Sequence, residues 1–197
     1  MSNLPEEDSL INKIKEIQDD YYSKNKKNTI FKNKQKFECA NTVCNVFTIE
    51  YLISQALYII PNTNKIFFDY IVFKLFANKD NYSQIIDYII FLLQKSFEDF
   101  ESFELYINME SFTVSALERY KEVLIEFCNK CSLHDTKFSD NMSSLYICNV
   151  PKTFDAILKG MKPFMEKQVY GKIKLCDENT SKQAITEFHS YRDSITS

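Results

Sequence analysis

The sequence predicts an α/β fold, a mainly parallel β-sheet with flanking helices, preceded by an N-terminal helix. Short apolar runs with strand character alternate along the chain with longer segments that repeat apolar residues at helical spacing. Strands that alternate with helices favour right-handed crossovers and parallel pairing. With 197 residues, 45% of them hydrophobic and including 17 Phe and 12 Tyr, the chain has enough apolar material for one core.

The N-terminal part divides into a predicted helix and a predicted linker. Residues 4–22 have Pro5 where a first-turn proline is tolerated, and their apolar residues share one face: Leu10, Ile14, Ile17 and Tyr21. Residues 23–37 are rich in Lys and Asn, which is typical of a solvated tether. Alternatively, Lys24, Lys26 and Lys27 contact an anionic lipid surface. We therefore predict an N-terminal helix and linker over residues 1–37, and an α/β domain over residues 38–197.

The first half of this domain is predicted to contain two strands and two helices. Thr48 caps a helix over residues 48–60, and residues 61–64 form a turn. Residues 65–76 are rich in Phe, Ile, Val and Tyr, which favours a strand, and residues 82–97 follow as a buried helix. Residues 103–109 alternate as the second strand.

The second half continues the alternation. An amphipathic helix is predicted over residues 115–131, a strand over 144–150 and a helix over 153–165. A fourth strand over 172–176 and a final helix over 180–191 complete the fold. Together these elements predict a β-α-β unit over residues 144–176.

This unit carries the most specific pattern in the chain. A strand ends in Asn-x-Pro-x-x-Phe, a helix closes in Lys-Pro-Phe, and a short strand opens with Lys-Ile; the residues are Asn149, Pro151, Phe154, Lys162, Pro163, Phe164, Lys172 and Ile173. The pattern resembles the core of the CRAL-TRIO lipid-binding domain. Proline stiffens the exit of the strand and ends the helix. The resemblance extends, with fewer landmarks, over residues 65–176.

The chain also departs from that family. No helical N-terminal lobe is recognisable, and residues 177–197 are too few for a long gating helix with its return strand. The Leu-Pro and Gly-Gly landmarks that follow the gate in phosphatidylinositol-transfer members are missing. The chain is therefore most similar to the short, divergent CRAL-TRIO domains, including BCH-type domains, which mediate protein contacts as well as lipid contacts.

Two functions follow from the resemblance. The first is non-enzymatic binding of a lipid or other hydrophobic ligand in a pocket lined by Phe68, Tyr70, Tyr106, Phe154, Met161 and Phe164. Ordinary core packing is the alternative for each of these side chains. The second is a protein-interaction domain with a closed pocket, whose N-terminal helix docks on a protein partner or forms a homodimer.

Other classes of function find little support in the sequence. A net charge of -3 argues against a nucleic-acid partner, and two glycines cannot form a Gly-rich phosphate loop. Cys128, Cys131 and His134 could join Cys39 or Cys44 around zinc, but the first two cysteines fall on the core face of a helix, where buried thiols are typical. We therefore predict no catalytic residue, no metal and no cofactor.

The lengths of the apolar runs and the charge of the first residues predict where the protein is located. No apolar run is long enough to cross a bilayer, and the first residues are acidic where a secretory signal is basic. These features predict a cytoplasmic protein with, at most, peripheral membrane contact. The abundance of Lys, Asn and Ile fits an A+T-rich genome, such as that of a protozoan or a large DNA virus.

Overall fold

The computed structural model describes residues 10–28 and 30–196. The strands are β1 Leu57–Ile59, β2 Lys65–Asp69, β3 Phe103–Asn108, β4 Met142–Cys148 and β5 Ile173–Leu175. The helices are α1 Leu10–Lys24, α2 Lys32–Cys44, α3 Ile49–Ala56, α4 Tyr70–Phe76, α5 Tyr82–Phe100, α6 Val114–Leu133, α7 Phe138–Asn141, α8 Phe154–Met161, α9 Lys167–Tyr170 and α10 Glu178–Thr196. This element order confirms the predicted α/β class.

The five strands form one sheet in the order β1-β2-β3-β4-β5. β1 and β2 are antiparallel, with Tyr58 opposite Phe67, and the turn between them has a left-handed residue at Asn62, whose φ is 59°. The other three pairings are parallel. The predicted mainly parallel sheet is therefore confirmed, with an antiparallel edge strand that the sequence did not reveal.

Several predicted element boundaries differ from the structure, and in two places the type of element changes. The strand predicted over residues 65–76 ends at Asp69, because the Asp69 carboxylate accepts a hydrogen bond from the backbone N–H of Ile71 at 3.1 Å and caps α4. The helix predicted over residues 48–60 ends at Ala56, because residues 57–59 pair with β2 as β1. Composition could not separate these short strands from the helices beside them.

The N-terminal segment differs from its prediction in one respect. The start of the predicted helix lies outside the described residues, and α2 begins at Lys32, inside the stretch predicted as a linker. The apolar face of α1 is used within the chain, since Ile14 is fully buried and Leu10 and Ile17 pack against the core. This apolar face of α1 is the predicted docking surface for a protein partner, and the rest of the chain already covers it. Both the domain boundary at residue 37 and a homodimer stay predictions.

Alternate residues of the sheet point to its two faces. We call the face that carries Phe68, Leu105 and Ile147 the cavity face; it packs in the larger apolar cluster, with residues of α1 to α8. We call the other the α10 face, where Phe67 stacks on Phe188 with ring centroids 4.4 Å apart. The Tyr58 hydroxyl donates to the Phe188 carbonyl oxygen at 3.0 Å, which fixes α10 over β1 and β2.

The β-α-β unit over residues 144–176 is present. Asn149 adopts φ 51° directly after β4, and its amide Nδ2 donates to Oδ1 of Asn108 at 3.0 Å. Asparagine tolerates this left-handed conformation better than most residues. The Phe154 N–H donates to the Pro151 carbonyl oxygen at 2.9 Å, and the Phe154 ring is buried. The Asn-x-Pro-x-x-Phe pattern therefore builds the corner from β4 into α8.

Candidate functional site

An apolar cavity lies between the cavity face of the sheet and helices α6 and α8. Its volume is about 230 Å³. The sheet contributes Phe68, Leu105, Ile107, Leu145 and Ile147 to its wall, and α6 and α8 contribute Leu117, Leu124, Phe127, Phe154, Ile157, Leu158 and Met161. A concave, mostly apolar site with few polar groups is the usual environment for a hydrophobic ligand.

The structure brings five of the six predicted pocket residues to this cavity. Its wall includes Phe68, Tyr70, Phe154, Met161 and Phe164. A role for them in ligand binding stays a prediction.

Tyr106 lies elsewhere, because successive side chains of β3 point to opposite faces of the sheet. Its ring stacks on Tyr146 with centroids 4.4 Å apart, on the α10 face, and its hydroxyl donates to Glu104 Oε2 at 3.0 Å. Tyr106 therefore does not line this cavity. Its neighbour Leu105 takes the corresponding place in the wall.

Some motif residues shape the backbone after β4, and others line the cavity. Asn149 and Pro151 form the corner after β4, while Phe154 and Phe164 reach the cavity wall. Lys162 and Pro163 are exposed, and the Lys162 ammonium lies 5.9 Å from the ring centroid of Tyr170. The pattern therefore reaches the cavity wall at Phe154, Phe164 and Ile173.

One end of the cavity is polar, which the sequence did not predict. The Ser132 hydroxyl donates to Glu166 Oε1 at 3.0 Å, and the Ser139 hydroxyl donates to Glu166 Oε2. All three residues line the cavity. They come from α6, α7 and the segment before α9, at sequence separations of 34 and 27 residues. No local motif could have joined them.

Two cysteines of α6 also face the cavity. Burial is the largest cause that raises the pKa of Cys128 to about 11, and the Glu166 carboxylate adds to it. Burial likewise raises the pKa of Cys131 to about 12, with smaller effects from Cys128 and Glu166. Both thiols are therefore protonated near neutral pH, as small apolar residues of the wall.

The alternative zinc site does not assemble. Within residues 10–28 and 30–196, no group of three or more His, Cys, Asp and Glu side chains could hold a metal ion. His134 accepts a hydrogen bond at Nδ1 from the Thr136 N–H at 3.2 Å, and its ring packs on Phe138. Cys44 lies beside the Phe76 carbonyl oxygen and the Asn81 amide, on another part of the core.

A buried polar cluster lies at the carboxyl ends of the strands, on the α10 face. The Asp69 side chain is 1% exposed; its Oδ1 accepts from Asn108 Nδ2 at 3.0 Å, and its Oδ2 lies 3.0 Å from His189 Nε2. Arg192 Nη1 is 3.6 Å from the same oxygen. The cluster ties α10 to β2 and β3. The His189 side chain is 32% exposed, so it closes the outer side of this cluster.

The predicted membrane-contact lysines precede an exposed apolar pair. Lys24, Lys26 and Lys27 are exposed, although Lys24 pairs with Asp20 at 2.7 Å. Between them and α2, the side chains of Ile30 and Phe31 are 82% and 63% exposed. Among the described residues, no helix is both long and apolar enough to cross a bilayer.

Comparison with known proteins places this architecture in a family. The family model described as the CRAL/TRIO domain matches residues 62–193. Among solved structures, the chain is similar to the crystal structure of Sfh5, with 12% sequence identity and a TM-score of 0.47, over 81% of this chain and 67% of that chain. No curated protein matches the sequence.

Proposed function

The chain belongs to the CRAL/TRIO domain family, and we propose that it binds a lipid or another hydrophobic ligand in the cavity without catalysing a reaction. The observation that carries the proposal is the apolar cavity itself, which lies beside the family motif and takes Phe154 and Phe164 into its wall. Fold alone does not determine function, so the argument rests on this site.

The chemistry of the wall supports binding rather than catalysis. The Cys128 and Cys131 thiols have raised pKa values and are poor nucleophiles near neutral pH. The Glu166 carboxylate accepts from both serine hydroxyls. Among the described residues of the cavity wall, there is no His or Lys to serve as a stronger base for either hydroxyl. An aliphatic chain needs only an apolar wall, which the other lining residues supply.

Titration with a fluorescent long-chain probe tests the proposal. The wild-type protein should bind the probe, and Met161→Asp and Phe164→Asp should each weaken binding about tenfold or more, because a carboxylate in the apolar wall is costly to desolvate. Ala156→Asp is the matched control, since Ala156 is exposed on the same helix as Met161. Equal binding by all four proteins, or none by the wild type, would contradict the proposal.

We propose in addition that the segment between α1 and α2 contacts anionic membranes. Exposed Ile30 and Phe31, close to Lys26 and Lys27, combine an apolar insertion with positive charge. Each basic residue near such a surface contributes about 1 kcal/mol. The protein should sediment with vesicles that contain phosphatidylserine, and less so when Ile30 and Phe31 are both replaced by Ser. Val46→Ser is the control because Val46 is 62% exposed elsewhere; an equal loss there would refute the contact.

A further inference from the structure

The polar end of the cavity restricts the head group of a ligand. Within the described part of the chain, Glu166 is the charged residue of the cavity wall, and the wall contains no Lys, Arg or His. Ser132 and Ser139 lie beside Glu166 at the amino-terminal edge of the sheet, close to the start of β4 and β5. Tyr70, whose phenol also lines the cavity, follows β2 at the opposite edge. A head group near Glu166 therefore meets a carboxylate and two hydroxyls.

The hydrogen bonds within this polar end determine which further hydrogen bonds it can form with a ligand. Each serine uses its single O–H to donate to a different oxygen of Glu166. A carboxylate has about four lone-pair sites, and a serine oxygen has two, so the remaining capacity is for accepting hydrogen bonds. The neighbouring Cys128 and Cys131 are weak donors. A ligand head group must therefore supply the donors.

Two lysines near the cavity are directed elsewhere. The Lys172 ammonium donates to the carbonyl oxygens of Ser139 and Asp140 at 2.7 and 2.9 Å. The Lys121 ammonium lies 5.8 Å from the ring centroid of Phe164. Neither residue belongs to the cavity wall. A phosphate or carboxylate head group would meet Glu166 without the cation that such groups normally need in a partly buried site.

The size of the cavity limits the apolar part of the ligand. About 230 Å³ lies below the range of roughly 300–1,000 Å³ that is usual for drug-sized ligands. One aliphatic chain suits this volume better than two.

We infer that the cavity selects a single-chain amphiphile whose head group donates hydrogen bonds, an amine or an alcohol, to the carboxylate of Glu166. This inference rests on the proposed lipid-binding function. The amine is favoured over the alcohol because a charge-assisted hydrogen bond is stronger than a neutral one. Glu166 acts as the head-group residue, and Ser132 and Ser139 orient its two oxygens.

Calorimetric titration of the full chain with three ligands of equal chain length tests this inference. Dodecylamine, dodecanol and dodecyl phosphate are used below their micelle concentrations. The expected order of affinity is amine, alcohol, phosphate, with dodecylamine at least about tenfold tighter than dodecyl phosphate. Glu166→Gln should remove about tenfold of the amine affinity and leave the alcohol within about threefold. Glu126→Gln, which removes an exposed carboxylate from α6, should change neither value.

The outcomes separate the two proposals. If dodecyl phosphate binds as tightly as dodecylamine, or if Glu126→Gln weakens the amine as much as Glu166→Gln, the head-group inference fails while ligand binding stands. If none of the three ligands binds the wild type, both proposals fail. The order of the three wild-type affinities tests the inference even if a variant does not fold. Ser132→Ala, a change at an exposed side chain, should lower the amine affinity by a smaller factor if Glu166→Gln does not fold.

Discussion

The two faces of the sheet are built from alternate residues of the same strands, yet one face borders a cavity and the other is closely packed. On the α10 face, Phe67 is fully buried and stacks on Phe188, and Tyr58 packs against both rings. On the cavity face, the next residue, Phe68, borders a space of about 230 Å³. Close packing is the norm in protein interiors, so a space of this size needs an explanation.

We propose that the two faces divide stability and ligand binding between them. The α10 face combines aromatic stacking with the Asp69 cluster, and both fix a single helix in place. The cavity face distributes its apolar contacts over several helices, and α6 and α8 can border a space because other helices complete the core. Mutations on the α10 face should therefore change the free energy of unfolding most, and those on the cavity face should change ligand binding.

The largest expected effect is that of Phe67→Ala. Removing a fully buried ring from the α10 face should lower the free energy of unfolding by about 3–5 kcal/mol. Phe68→Ala, one residue along, should cost clearly less, because Phe68 is half-buried and already borders the cavity. Urea unfolding of both variants measures the difference. A cost for Phe68→Ala equal to or above that for Phe67→Ala would contradict the division between faces.

Asp69→Ala should have the next largest effect. It removes the cap of α4 and the acceptor of Asn108, and it leaves Arg192 without this carboxylate. Because the side chain is 1% exposed, we expect a loss of about 2–3 kcal/mol in urea unfolding. Asp193→Ala is the control, since that side chain is 70% exposed. Similar losses for the two variants would show that the buried cluster does not hold α10.

Alkylation of cysteines compares access to the two faces. Only the thiolate reacts, and the raised pKa values of Cys128 and Cys131 lower the thiolate fraction at pH 8. Iodoacetamide should therefore modify both at least about tenfold more slowly than an unfolded chain. The rates should rise as the pH approaches about 11 for Cys128 and about 12 for Cys131. Bound dodecanol should slow both further. Cys148, fully buried on the α10 face, should be slow with or without ligand. Mass spectrometry of peptides gives each rate; ligand protection of Cys148 alone would invert the assignment of the faces.

The two helix caps should have the smallest effects, with Thr113→Ala the larger of the two. The Thr113 hydroxyl oxygen accepts from the Ala116 N–H at 3.1 Å and caps α6, the helix that carries much of the cavity wall. Loss of such a cap costs about 1 kcal/mol. Thr48→Ala is the matched comparison, because its capping bond to Tyr51 is longer, at 3.4 Å, and its loss should cost less. Urea unfolding decides, and a reversed order would show that the cap of α6 is not the stronger one.

The sequence predicted the fold wherever a pattern was local. The helix from Tyr82, the strand from Phe103 and the corner at Asn149 and Pro151 follow from periodicity and from a short motif. It missed β1 because three residues carry no clear alternation, and that strand depends on its pairing with β2.

The candidate site was predictable only in part. Phe154 and Phe164 were identified by the motif, but Tyr106 was assigned to the cavity without knowledge of which face of β3 it occupies. The contacts of Ser139 with Glu166 and of Asp69 with His189 join residues 27 and 120 positions apart. Only the packing of α9 and α10 on the rest of the chain brings these groups together.

Native mass spectrometry of the gently purified full chain, followed by organic extraction, tests most directly whether the cavity face is a ligand site. We expect one hydrophobic molecule per chain, retained by Tyr106→Ala on the α10 face and lost from Met161→Asp on the cavity face. A wild-type chain that carries no such molecule and takes up none when a long-chain alcohol is added would contradict the account. So would a molecule that remains in Met161→Asp and is lost from Tyr106→Ala.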